Sequence, residues 1–390
     1  MQRQRAVVVG GGVNGLSIAR ALAERGVHDV LLLERRTLAS GGTGKSSGIV
    51  RCHYGVPSLA AMAWRSLPLL ESLADEIGFH QVGYLVTVGP QDEDALRANV
   101  AMQQRLGIDV SMTSMDVASG LWPHMQTGGL CAAALEPRGG YADASQLALH
   151  FAARAREAGA TIRQGHPVSR LVTRGEQIVG LELSSGERID ADVVVIAAGV
   201  WSADLLGGVD VDVPLRGLRA GMLLMDAGKE LGELPVLSDL ESVHYVRAEG
   251  SGRLLVGNSD HSAPVYMDAD SYVDRMTNDE LEEAVGKALH RFVGLPDARV
   301  TTTYVGCYDI TPDWNPVISS VPVDGVYVAA GFSGHGFKIS PAVGDLVADL
   351  VLEGDSRDPV IAASDFRLSR FDEGKPLKSL HPYGGASLMR

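Results

Sequence analysis

The sequence predicts an α/β chain (α+β overall): an open parallel sheet, interrupted by an inserted domain on a mostly antiparallel sheet. Three observations predict it. Arg5 to Arg36 reads as strand, glycine turn, helix, strand. Two later apolar runs, Val193-Val194-Val195-Ile196 and Val326-Tyr327-Val328, also end in glycine, at Gly199 and Gly331. Between Pro214 and Val305 the pattern shifts to short strands with one clear helix, Asp279 to Phe292.

The first unit carries a mechanism. Ala6-Val7-Val8-Val9 leads into Gly10-Gly11-Gly12-Val13-Asn14-Gly15, and Leu16, Ala19, Leu22 and Ala23 share one face of the helix that follows. Gly10 permits the tight turn, Gly12 lets a pyrophosphate approach the backbone, and Gly15 lets helix and strand pack closely. The helix N-terminus offers free N–H groups and a positive dipole end. Glu34, at the end of Val30-Leu31-Leu32-Leu33, is placed to accept hydrogen bonds from ribose hydroxyls. This is a dinucleotide site. Alone it does not choose between a flavin and a nicotinamide.

A small-residue loop follows, Ala39 to Gly48. Its Gly44-Lys45-Ser46 invites a triphosphate loop, but Ala39 stands where the strict pattern has glycine, and the adjoining strand is already committed. Helical periodicity covers 57–77 and 91–106, with a strand at Gly83 to Val88 between them. A helix runs from Ala144 to Ala158, then Ala160-Thr161-Ile162, and a hairpin turns at Ser184-Ser185-Gly186-Glu187. After the turn Phe332 to Phe337 a last helix is expected from Pro341 to Leu352.

Composition bounds the function. A chain of 390 residues favours two domains. A net charge of −14 argues against nucleic acid or an anionic membrane as partner. The three cysteines, Cys52, Cys131 and Cys307, form no CxxC pair, so neither a disulfide framework nor a metal site is expected. No apolar run approaches the ~20 residues of a membrane span, and no signal-peptide pattern opens the chain, so a cytoplasmic protein is expected.

Taken together these motifs resemble the D-amino acid oxidase superfamily of FAD enzymes, in particular its sarcosine oxidase, glycine oxidase and dimethylglycine dehydrogenase branch. The resemblance spans nearly the whole chain. It rests on Gly10-x-Gly12-x-x-Gly15 with Glu34, on Ile49-Val50-Arg51-x-x-Tyr54-Gly55, and on Ala198-Gly199-Val200-Trp201-Ser202. Thr311-Pro312-Asp313 and the block Ala330 to Lys338 complete it. It implies a Rossmann-like FAD-binding domain of 1–80, 140–213 and 306–390, and a substrate domain of 81–139 and 214–305. It also implies oxidation of a C–N bond in a small amino acid or N-methyl amino acid, with hydride passing to flavin N5 and electrons then to oxygen or another acceptor.

The same resemblance implies the site. Arg51 is the first choice for a substrate carboxylate, because guanidinium meets carboxylate as a planar fork. Lys338 would help hold it, with Tyr54, Tyr245 and Tyr308 lining the pocket. Cofactor contacts would come from Gly10, Gly12, Val13, Asn14, Gly15, Glu34, Arg35, Thr43, Gly44, Ser47 and Gly48. Val168, Ala198, Gly199, Trp201, Gly331, Phe332, Gly334, His335, Gly336, Phe337 and Lys338 complete that set. A positive helix end at Gly334 to Ile339 would stabilise an anionic reduced flavin.

Three departures from the pattern carry expectations. The cysteine that links flavin covalently in monomeric sarcosine oxidases falls on Gly306, with Cys307 one residue along, so non-covalent FAD is expected. The oxygen-activating lysine has no counterpart in Arg253-Leu254-Leu255-Val256-Gly257, which makes a dehydrogenase credible. An arginine held near the flavin aligns with Gly48. Two alternatives stay open: a beta-like flavin subunit of a heteromeric amine dehydrogenase using an acceptor other than oxygen, and a nicotinamide-dependent dehydrogenase; hetero- or homo-oligomerisation stays open with them.

Overall fold

Ala6-Val7-Val8-Val9 has no polar face, so its strand needs cover on both sides. In the computed structural model, which describes residues 5–260, 262–292 and 294–384, it gets it. Arg5–Val9 is an inner strand of a six-stranded sheet. The order is Val317–Ser320, Val326–Ala330, Val193–Ile196, Arg5–Val9, Asp29–Glu34, Thr161–Gln164. Neighbours pair in parallel except at the Val317–Ser320 edge. Ala6, Val8 and Leu32 pack with Leu16, Phe151 and Val343 of three helices, Val13–Glu24, Ala144–Glu157 and Gly336–Glu353. Val7, Val9 and Leu33 on the other face pack with Leu171, Ile178 and Leu181 of a three-stranded sheet.

The helices lie close. A Cβ at Gly15 would sit 2.0 Å from the Gly10 carbonyl oxygen, and one at Gly344 would sit 2.4 Å from Ser17 Oγ. The first helix and the C-terminal helix therefore cross with almost no side chain between them, so their N-termini start side by side.

The second sheet has eight strands. Their order is Arg299–Ile310, Arg216–Asp226, Arg253–Asn258, His244–Ala248, Val236–Asp239, Tyr84–Val88, Ala132–Glu136, Ser111–Thr113. Its pairings are antiparallel except that of Val236–Asp239 with Tyr84–Val88. Two strands are longer than the sequence pattern suggests, because Arg216–Asp226 and Arg299–Ile310 pair along their whole length. The latter runs from the second sheet towards the first and delivers its last residues to the junction between them.

Other boundaries shift. The expected helix at 57–77 breaks at Leu73 into Pro57–Ser72 and Ala74–Ile77, and that at 91–106 is Glu93–Arg105. The C-terminal helix starts at Gly336, five residues before Pro341. Pro341 leaves the Phe337 carbonyl without its backbone donor. Ser340 Oγ donates to that carbonyl at 2.8 Å, so the helix tolerates the proline. Among the described residues no helix is long and apolar enough to cross a membrane.

Candidate active site

A cavity of about 570 Å³ opens where the carboxyl ends of the parallel strands meet the second sheet. Its wall includes Gly10, Gly12, Val13 and Asn14 of the first turn, and Gly334, Gly336, Phe337 and Lys338 of the last. Both helix N-termini thus bound one space. The N-cap of the first helix, Gly12, has no side-chain cap, and a Cβ there would approach nothing nearer than Thr43 Oγ1 at 3.2 Å. That opening admits a pyrophosphate to the backbone. Gly10 has φ +116°, and a Cβ on it would meet the Ala197 carbonyl oxygen at 2.3 Å, so glycine is required. Glu34 Oε2 accepts from Gly11 N at 2.7 Å and Oε1 from Arg36 N at 2.7 Å. Both carboxylate oxygens keep a further lone pair for ribose hydroxyls.

Glu34, Arg35, Thr43, Ser47, Val168, Ala198, Gly199, Trp201, Phe332 and Tyr308 also line the cavity. Arg35 lies 3.8 Å over the Trp201 ring. Others act from outside the wall. Gly15 serves helix packing, as described. Gly44 and Gly331 have backbone or side-chain atoms where a Cβ would go. Gly48 has φ +71°, and a Cβ on it would lie 2.0 Å from the Ala142 carbonyl oxygen, so no arginine fits there. His335 is buried as the N-cap of the C-terminal helix, its ring edge-on to Tyr54.

Arg51 is not in the cavity wall. Its guanidinium is buried over the Tyr54 ring at 4.2 Å, 5.8 Å from the Tyr84 ring, and donates to the His53 carbonyl. Glu136 anchors this segment by accepting from Cys52 N at 2.7 Å, and burial pushes its carboxyl up to about 7. Tyr245 sits across Gly257 on the neighbouring strand; a Cβ at Gly257 would overlap its ring. Burial, and then Tyr245, drive the Tyr308 hydroxyl well above its ordinary range, so it remains a neutral donor.

Two residues carry no signal in the sequence: Asp309, in the cavity wall, and Arg247, which supports Ser47 of that wall from behind. Asp309 accepts from Gly331 N at 2.7 Å and Phe332 N at 3.3 Å, and its backbone oxygen takes Ser333 N at 3.0 Å. It pins the last glycine turn, and burial raises its carboxyl to about 6. Arg247 donates to the Ser47 oxygen at 2.7 Å and lies 4.5 Å over the Tyr141 ring. Neither has a local motif; their partners are far along the chain.

A model of the family described as FAD dependent oxidoreductase (DAO) matches residues 5–350. The chain belongs to that family. This FAD-dependent oxidoreductase is 28% identical over 383 residues to 4-methylaminobutanoate oxidase (formaldehyde-forming) of Paenarthrobacter nicotinovorans. The match covers 90% of the chain but 44% of that relative, so the chain spans under half its length. It is 26% identical to sarcosine oxidase subunit beta of Rhodobacter capsulatus, covering 96% of the chain and 90% of the relative. The fold superposes on L-proline dehydrogenase from P. horikoshii with a TM-score of 0.87 and 26% identity, covering 96% and 99%. The cofactor is FAD, which replaces the nicotinamide alternative. The cavity of about 570 Å³, the open Gly12 backbone and the paired helix ends fit it.

Proposed function

We propose that this oxidoreductase oxidises the C–N bond of a small amino acid bearing a secondary or tertiary amine, sarcosine-like or proline-like, to an imine. The observation that carries it is Lys338. This buried cation stands in the cavity wall with Tyr308, in the first turn of a helix whose N-terminus faces the same space. The end-to-end likeness to an amino acid dehydrogenase and to a sarcosine oxidase subunit supports it.

FAD, when bound, accepts the hydride. The chain supplies the rest. Lys338 holds the carboxylate from the wall; Arg51, which rests over Tyr54 outside the wall, joins it by giving up the His53 carbonyl. Tyr308, kept neutral by burial, donates a hydrogen bond and is no base for the amine. Positioning of this kind can be worth ~7–11 kcal/mol. A flavin bound here would be held without a covalent bond: Gly306 faces Lys45, and Cys307, though it borders the cavity, has its Sγ against Gly217, with burial pushing its thiol up to about 12. Arg253 is exposed at the outer end of its strand opposite Asp226, so that strand brings no cation to the site, and an acceptor other than oxygen is favoured.

Anaerobic bleaching of the flavin by sarcosine, N,N-dimethylglycine, L-proline and 4-methylaminobutanoate tests the proposal. At least one bleaches it, and Arg51→Met raises KM for that substrate about 100-fold. Bleaching by none of them, or an unchanged KM in the variant, would reject it. A second reading, a flavin subunit of a larger assembly, is favoured by the near full-length match to subunit beta. Full turnover of the purified chain with an artificial acceptor would count against it.

A further inference from the structure

The connection between Arg253–Asn258 and the helix Asn278–Arg291 hangs from the second sheet, yet its Ala269 and Tyr272 line the cofactor cavity. Two carboxylates tie it to the opposite walls. Asp270 Oδ1 accepts from Arg35 Nη2 at 2.8 Å and its Oδ2 from Trp201 Nε1 at 2.9 Å. One carboxylate thus aligns both members of the Arg35–Trp201 stack. Asp274 pairs with Lys45, and its Oδ1 accepts from Val305 N at 2.9 Å. Arg35 follows the second strand, Lys45 ends the Gly42–Lys45 turn, and Trp201 ends the Gly199–Trp201 turn. The fasteners therefore reach three separate walls.

Neither aspartate side chain shapes the connection's own turn. Asp268 does that, accepting from Asp270 N at 2.9 Å and Ser271 Oγ at 2.8 Å. Both ion pairs are partly exposed, with side-chain exposures of 32%/51% and 29%/48%. Pairs of this kind contribute little to folding. Their effect falls instead on whether the segment stays down.

We propose that Asp270 and Asp274 are positioning residues for the cofactor: 268–274 straps the cavity closed over FAD, and FAD leaves only when both fasteners open. The inference rests on FAD binding and is independent of the amine substrate. It makes release a charge-dependent step, since exposed ion pairs are screened by salt.

The test follows free-flavin fluorescence after dilution of the holoenzyme. Asp270→Asn speeds release about fivefold and the Asp270→Asn/Asp274→Asn double variant about twenty-five-fold, as loss of one and two exposed pairs of this kind allows. Wild-type release accelerates with added salt, whereas the double variant is insensitive to it. Asp270→Glu returns the rate to near wild type, and melting of the variant apoproteins moves by less than about 2 °C. Release at the wild-type rate from the double variant, or salt-independent release from the wild type, would overturn the proposal. So would a fall in apoprotein melting large enough to account for the faster release.

Discussion

Two glycine turns, Gly10 to Gly15 and Gly331 to Gly336, bring two helix N-termini to one cavity, and a carboxylate braces each. They differ in where the brace comes from. Glu34 belongs to the strand beside the first turn, in the same local unit, and is half-buried. Asp309 lies near the end of a strand of the other sheet and borders the cavity itself. The first turn and its brace lie in one stretch of chain, against which Ala197 closes from the neighbouring strand. The second exists only when both sheets have met, so its geometry reports on the whole molecule.

The comparison can be broken most severely at Gly10. Gly10→Ala forces a left-handed φ on alanine and a clash with the Ala197 oxygen. It should cost more than ~3 kcal/mol and abolish flavin uptake. Thermal unfolding and the ratio of flavin to protein absorbance would register both.

Asp309→Asn sharpens it. The carboxyl's folded value is raised to about 6, above its unfolded value, so its stability contribution is full below about pH 4. That contribution is lost as pH rises through 6, by up to roughly 3 kcal/mol. Urea unfolding of the wild-type apoprotein between pH 4 and 7 should show the slope, and the variant should lack it. FAD affinity should fall about tenfold as the turn loosens.

Glu34→Gln should do least. A half-exposed brace within one local stretch contributes about 1 kcal/mol, so melting should barely change while the FAD Kd rises severalfold in a fluorescence titration. A larger fall in FAD affinity at Glu34 than at Asp309 would reverse the comparison.

The same distinction decides what was legible in the sequence. The first strand, turn, helix and Glu34 lie within one short stretch, and periodicity with glycine spacing suffices to place them. The block Gly331 to Lys338 was visible as a motif, but Asp309 was not, because nothing local marks a carboxylate whose partners lie 22 residues on across two sheets. Proline at 341 misplaced the helix start, since the compensating Ser340 hydroxyl is a side-chain event that propensity does not record. Arg51 was singled out by residue type and neighbourhood; that its guanidinium rests over Tyr54 rather than in the cavity wall is set by packing around Glu136. Arg247 and Asp270 carry no motif at all.

The near-contact of Gly344 with Ser17 carries a consequence for biosynthesis. The cavity needs walls from the first turn and from the start of the last helix, and these are threaded onto each other by that crossing. A ribosome-bound chain whose last helix is still in the exit tunnel has the Gly10 loop but not its opposite wall. The vitamin-derived cofactor therefore joins a chain from which the helix Gly336–Glu353 has already emerged, and flavin scarcity would leave folded, empty protein.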